Sequence, residues 1–341
     1  MKDTKIKCVV WDLDNTLWDG ILLESEDVVL KDDVVEVIKE LDKRGILQSI
    51  SSKNDYDAAK KKLEEFDLWD YFIYPQINWN PKSEAIEVIT NSINIGINTL
   101  AFVDDQEFER DEVSFSHQDV LCIDTLDSGK ILSMDCMMPK FITSDSKNRR
   151  AMYQNDIARN SIEKDFKGTK EEFLGSLNMT FYISKAQESD LQRVEELTVR
   201  THQLNSTGYV YSYAELKACI EDEKYEVFVT RLDDKYGTYG TIGLALVEKN
   251  EEVWEVKLLI MSCRVMSRGV GNILLNYICN EAKKAAVKLQ AQFVPTDKNR
   301  IMYITYKFNG FKEIKKDNLI VFEADMAHER KIPKYVELVV V

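Results

Sequence analysis

Histidine is scarce in this chain of 341 residues: there are three, His117, His202 and His328, and the six cysteines, Cys8, Cys122, Cys136, Cys219, Cys263 and Cys279, are widely scattered. Zinc sites and disulfide frameworks need close pairs of such residues, so the spacing argues against both, and each thiol is expected to be a small buried hydrophobe. Proline (5) and glycine (13) are also sparse, which leaves little room for long disordered linkers. No run approaches the ~20 apolar residues of a membrane span. Residues 1–8 are charged and lack the apolar stretch of a signal peptide, so the expected location is the cytoplasm. Positive charge is in deficit, with 45 Lys and Arg against 59 Asp and Glu and a formal net charge of −14. Binding nucleic acid through its phosphates requires a cationic face, so nucleic acid is not an expected partner.

What is present is the composition of an ordinary folded protein, 44% hydrophobic and 30% charged, at a length that suggests two domains. The first third alternates strand and helix patterns. Strands are expected at residues 7–11, 46–51, 99–103 and 120–123, and helices at 32–44, 55–66 and 83–93, the first of them capped by Asp32. Such alternation implies a doubly wound α/β fold with a parallel sheet, whose ligands sit at the carboxyl ends of the strands. The expected organisation is a first domain over 1–145, a polar helical linker over 146–176, a second mixed α/β domain over 177–330 and a C-terminal tail over 331–341.

The densest chemistry is WDLDNTLWDG, in the loop that leaves the first strand. Asp12 and Asp14, two residues apart at a strand's carboxyl end, can converge on one divalent cation and one substrate atom. Three further elements follow in order. Ser52 ends the second strand in SSKND and offers a hydroxyl and backbone N–H groups to a phosphate, Lys82 opens a helix after WNP, and Asp104 and Asp105 end the strand in FVDDQ. Asp105 could reach a cation through water or merely cap the next helix.

This ordered set resembles the haloacid dehalogenase superfamily of phosphotransferases over residues 1 to about 130. The resemblance implies Asp12 as nucleophile, Asp14 as acid and then base, and Ser52 and Lys82 as holders of the phosphoryl oxygens, with Thr16, Lys53 and Asn54 also toward the substrate. It further implies a magnesium ion on Asp12, the backbone carbonyl of Asp14 and Asp104, with Asp105 reaching it through water. Intervals of 38 residues from Asp14 to Ser52 and 30 from Ser52 to Lys82 are filled by single elements and hold no cap domain. Capless members of the superfamily look like enzymes for large or protein-tethered substrates, since nothing encloses a small one.

In the second half, MSCRVMSRGVG joins a strand to a helix through a loop that either cradles phosphate on its N–H groups or simply turns tightly at Gly269 and Gly271. With the later NRIMYITYKFNGF it resembles the GNAT acyltransferases over about 178–325. Arg264, Arg268, Gly269, Gly271 and Asn299 then stand where a carrier arm would bind, and Tyr306 stands at the family's proton-donating tyrosine; Met266 departs from the family at its usual Gln or Arg position. The fold class implied is a capless haloacid-dehalogenase-like Rossmannoid parallel sheet followed by a GNAT-like mixed α/β domain.

The order of the halves, with the strings INWNPKS, FVDDQEFERDEV and RTHQLNSTGY, resembles the FkbH-like proteins of polyketide and nonribosomal peptide pathways over nearly the full chain. That resemblance implies 1,3-bisphosphoglycerate as small-molecule substrate and an acyl carrier protein, loaded with a glyceryl thioester on its phosphopantetheine arm, as partner. If an enzyme thioester intervenes, Cys263 is the best-placed thiol; direct transfer is the other route. A phosphatase for a small phosphate ester, with a non-catalytic second domain, is the alternative. Carrier proteins are acidic, so docking needs a basic patch, for which the chain offers Lys147, Arg149 and Arg150 at the junction and Arg264 and Arg268 at the loop.

Overall fold

The computed structural model describes residues 5–25, 27–316 and 318–341. The chain divides into two compact units, residues 1–154 and 155–341. In the first, β1 (Cys8–Trp11) leads through a short hairpin, β2 (Trp18–Asp19) and β3 (Val29–Leu30), into α1 (Asp32–Lys43) and β4 (Leu47–Ser52). Then follow α2 (Tyr56–Glu65), β5 (Gln76–Ile77), α3 (Lys82–Ile93), β6 (Leu100–Asp104), α4 (Glu107–Ser116) and β7 (Leu121–Asp124). The sheet order is β5-β4-β1-β6-β7, every pair parallel.

The local reasons are simple. Strand β1 reads CVVW and is wholly buried, as a central parallel strand covered on both faces must be. Helix α1 buries Val34, Val37, Ile38 and Leu41, the i, i+3, i+4, i+7 stripe of an amphipathic helix. Its N-cap is Lys31 and not the expected Asp32; Asp32 and Asp33 instead lie in the first turn, where the helix dipole favours negative charge. After β1 the chain crosses to β4 on one side and only later reaches β6 on the other. The carboxyl end of β1 is therefore the point where the winding reverses, which is where open α/β sheets bind ligands.

Helices α5 (Ser144–Lys147) and α6 (Arg149–Asp165) follow, the latter containing the boundary, and then α7 (Lys170–Ser176). The second unit continues through β8 (Met179–Lys185), α8 (Leu191–Arg200), α9 (Tyr213–Glu221), β9 (Tyr225–Asp234), β10 (Gly237–Lys249) and β11 (Val253–Met261). It closes with α10 (Ile273–Lys284), β12 (Lys288–Phe293), α11 (Arg300–Phe308), β13 (Phe311–Lys316), β14 (Ile320–Ala324) and β15 (Val336–Val340). Its eight strands run β13-β14-β12-β11-β10-β9-β8-β15, parallel at β11–β12 and β15–β8 and antiparallel elsewhere. The stretch 331–341, read from sequence as a tail, thus ends in an edge strand whose Val336 to Val340 pair residue for residue with Met179 to Ile183. The α/β class expected from the sequence is the one found. Among the described residues no helix is long and apolar enough to cross a membrane.

Candidate active site

Trp11 ends β1 opposite Ile50 of β4 and Val103 of β6, and the next N–H, that of Asp12, donates to the Val103 carbonyl at 2.9 Å. This extra rung places Asp12 beside Asp104. Ser52 closes β4 and is buried, and Lys82 is the first residue of α3 after Pro81, whose fixed φ suits the entry to a helix. Lys82 is 2% exposed. Its ammonium donates to Asp12 Oδ1 at 2.5 Å, to the Ser51 carbonyl at 2.7 Å and to Asp104 Oδ2 at 3.1 Å. Burial works against its charge, but the carboxylates of Asp12 and Asp104 outweigh that and hold its pKa above the ordinary value.

Carboxylate oxygens of Asp12, Asp104 and Asp105 lie within 4.8 Å of one another. Asp104 is pushed up to about 6, first by burial and further by the Asp12 charge, against the pull of Lys82. Asp105 is also raised, by burial and then by Asp12. Three converging carboxylates against one ammonium leave negative charge uncompensated, and an all-oxygen donor set is what a hard divalent cation takes. The magnesium expected from the sequence fits these residues. Two neighbours brace the cluster: the Gln106 N–H donates to Asp104 Oδ1 at 2.8 Å, and Arg110 spans the Asp104 carbonyl (2.8 Å) and Asp124 (2.6 Å).

Asp14 is held apart from the others. Its Oδ1 accepts from the Trp18 indole at 2.8 Å and the Leu22 N–H at 3.1 Å, and its Oδ2 accepts from Asn54 Nδ2 at 3.0 Å. Burial raises its pKa, and the bonds from Leu22 and Trp18 oppose the rise. Asn15, at φ 55°, supplies the left-handed turn that returns the chain to β2. The residues expected to face substrate are engaged by the chain itself. Thr16 contacts Thr125 Oγ1 (3.1 Å) and accepts the Asp105 N–H (3.1 Å), Lys53 pairs with Glu109 (2.7 Å), and Asn54 serves Asp14.

The second domain treats its singled-out residues differently. Arg268, 1% exposed, donates to Glu163 at 3.0 Å and Asn160 at 2.8 Å, and Arg264 lies in the field of Asp156. Gly269 has φ +68° and a Cβ there would crowd the Tyr335 hydroxyl, which favours glycine; a Cβ at Gly271 would meet nothing within 4 Å. Asn299 is fully buried, donating to the carbonyls of Asn205 (3.0 Å) and Val294 (2.9 Å). Burial also encloses Tyr306 completely and pushes its hydroxyl pKa far up. Cys263 is half-buried in the turn after β11.

Strands β11 and β12 pair only from Val253 to Val256 and then part. Residues 204–206 fill the gap: Met261 N–H donates to the Leu204 carbonyl, Ser206 N–H to Leu259, and Val294 N–H to the Ser206 carbonyl, each at 3.0 Å. A cavity of about 230 Å³ lies beside this insert, lined among others by Leu204, Met261, Met266, Gly271, Met302 and Thr305. At the junction, the expected docking arginines are committed to the first domain's fold, Arg149 to the Gly45 carbonyl (2.5 Å) and Arg150 to Asp42 (2.9 Å).

Trp18, Arg110 and the insert 204–206 did not emerge from the sequence as parts of a site. All three lie inside the motif strings, but their hydrogen-bond partners, Asp14 for Trp18, Asp104 and Asp124 for Arg110, and Leu259, Met261 and Val294 for the insert, show only in the fold.

A parallel sheet with a cation-binding carboxylate cluster and a buried lysine at its winding reversal defines a phosphotransferase domain of the haloacid-dehalogenase type. Magnesium-dependent phosphatase 1 of Homo sapiens is 30% identical to the chain over 136 residues, which is 34% of this chain and 76% of the human protein. The chain belongs to this magnesium-dependent phosphatase family. No protein-family model matches it. Among solved structures, it is similar to the N-terminal part of a Bacteroides fragilis protein containing a phosphatase domain complexed with magnesium, at 28% identity and TM-score 0.36; the match covers 40% of this chain and 41% of that one. It is also similar to the ribosomal-protein-S18-alanine N-acetyltransferase of Escherichia coli, at 17% identity and TM-score 0.35, covering 45% of this chain and 99% of that one.

Proposed function

We propose that the protein takes 1,3-bisphosphoglycerate, removes phosphate in its first domain and loads the glyceryl unit as a thioester on the phosphopantetheine arm of an acyl carrier protein in polyketide or nonribosomal peptide biosynthesis. The observation that carries this reading is the absence of an inserted cap among the described residues: β1 to β4 and β4 to α3 are spanned by a small hairpin, single helices and the two-residue β5, so nothing inserted there encloses a small substrate, and a large partner or the second domain is left to exclude water. In this reading an Asp12 carboxylate oxygen attacks phosphorus, Lys82 and Ser52 hold the phosphoryl oxygens, and Asp14 gives a proton to the leaving oxygen and later takes one from water. Asp12, the Asp14 carbonyl and Asp104, with Asp105 through water, would hold magnesium, which when bound offsets the repulsion between the Asp12 carboxylate and an anionic phosphate. The thiol that attacks the acyl carbonyl is that of the arm or of Cys263, with the acyl phosphate as leaving group, while the phosphate ester is the one cleaved through Asp12; an acyl group taken by Cys263 passes on to the arm thiol, which frees the cysteine again.

The second domain's GNAT-like motifs support carrier docking, but the insert at 204–206 favours a second reading: a magnesium-dependent phosphatase for a small phosphate ester whose second domain is not catalytic. Intact-mass measurement of a phosphopantetheinylated carrier, incubated with 1,3-bisphosphoglycerate, magnesium and enzyme, separates the two. A gain of one glyceryl unit supports loading, and an unchanged carrier with phosphate still released supports the simple phosphatase. In either case Asp12→Asn should abolish hydrolysis of the phosphate ester, and ester hydrolysis like the wild type would overturn the nucleophile.

A further inference from the structure

The Asp14 carboxylate offers roughly four lone-pair positions, and the chain's own donors occupy three of them. Two lie on Oδ1, filled by the Trp18 indole (2.8 Å) and the Leu22 N–H (3.1 Å), and one lies on Oδ2, filled by Asn54 (3.0 Å). Each side-chain donor is itself fixed. The Asn54 carbonyl oxygen accepts the Asp55 N–H at 2.9 Å, so its NH₂ group must face Asp14, and the residue is 1% exposed. Trp18 is fully buried, paired with Leu30 across the hairpin and tilted against Phe66 at 6.2 Å.

We infer that Trp18 and Asn54 are positioning residues that clamp Asp14 so that one lone pair, on Oδ2, is left to carry the catalytic proton. The inference rests on the reading of Asp14 as the acid and base. In the first step a bond forms from an Asp12 oxygen to phosphorus, the bond from phosphorus to the leaving oxygen breaks, and that oxygen takes the proton from Asp14 Oδ2. In the second, a water oxygen bonds to phosphorus, the bond to Asp12 breaks, and the water's proton passes to Oδ2. A carboxylate free to rotate would present either oxygen; this one presents a single position. Because Leu22 lies between β2 and β3, the hairpin helps to aim the group.

The clamp predicts a dependence on leaving group. In the magnesium-loaded full chain, Asn54→Ala and Trp18→Phe should each lower kcat/KM, which reports the first step, by about tenfold or more for glycerol phosphate, a poor alkoxide leaving group. For p-nitrophenyl phosphate, whose leaving group needs no proton, kcat/KM should fall less than about threefold. Equal losses on both esters, at unchanged Tm, would overturn the clamp. A second readout needs no turnover. The Trp18 indole N–H resonance, assigned by its disappearance in Trp18→Phe, should shift on Asp14→Asn and on Asn54→Ala, and an unmoved resonance would also overturn it. If Asp14→Asn keeps full activity while the resonance shifts, the acid and base role fails instead, and the three bonds are a structural tie.

Discussion

Each domain buries a cluster of charged groups, and the two clusters differ in balance. In the first, among the described residues, Lys82 is the cation ion-paired to the cluster of Asp12, Asp104 and Asp105, one such cation to three anions. In the second, Arg159, Arg264 and Arg268 face Asp156, Asp234 and Glu163, three to three. Arg159 is representative: fully buried, it donates to both oxygens of Asp234 at 2.7 Å and to Asp156 at 3.0 Å, and it stacks 4.0 Å from the Tyr239 ring centre. A neutral cluster is complete and holds a fold together. A cluster short of cations is incomplete until a metal binds, and its electrostatic cost is what a catalytic site uses.

The largest expected effect comes from removing the one cation of the first cluster. Lys82→Met should lower phosphatase activity by about 10³-fold or more. It should also destabilise the metal-free protein by about 3–5 kcal/mol, because buried carboxylates lose their partner. Urea unfolding with and without magnesium checks this: the ion should recover part of the loss, and identical midpoints would show that the imbalance does not matter. Arg268→Met in the second cluster should cost about 1–3 kcal/mol by stranding Glu163 and leave phosphate release untouched. Lost carrier loading at unchanged stability would return Arg268 to a role at the arm.

Tyr306→Phe should change stability by less than about 1 kcal/mol and leave any loading intact, since the hydroxyl is sealed in the core. A fall of 10²-fold or more in loading would make it a proton donor after all. Smallest of all is a pH effect at α9. Glu215 is held down to about 2 by bonds from Ser212, then Tyr209. A lowered folded-state pKa means its contribution is present above the ordinary value of 4.5 and is lost as pH falls toward about 2. Carboxyl titration by NMR should find Glu215 still ionised at pH 3, and a midpoint near 4.5 would show the cap to be open in solution.

The sequence made most of the first domain legible, because its signals are local. Asp12, Ser52, Lys82 and Asp104 each end or begin an element whose periodicity is plain, and a parallel sheet has few ways to arrange such ends. The roles of Asn54 and Thr16 were not legible, because a polar residue in a loop beside a phosphate site reads as a substrate contact until its partner across the fold is seen. In the second domain Arg268 and Asn299 fit a binding-loop pattern, and their bonds to Glu163, Asn205 and Val294, which tie them into the fold, could not be read from it. The insert at 204–206 lies within RTHQLNSTGY but was hidden for the same reason, since no period marks a segment that joins a sheet for three residues. β15 read as a tail because five residues beyond a proline gave no alternation long enough to show.

The extra rung from Asp12 to Val103 bears on how the chain tolerates insertions. Asp12 and Asp104 meet only because β1 and β6 run in a fixed register, and successive strand residues point to opposite faces. One residue added within β6 would turn Asp104 away from Lys82 while leaving every motif letter in place. Counting letters between motifs is thus a weaker test of a working relative than asking whether the strand lengths before the two aspartates have been kept.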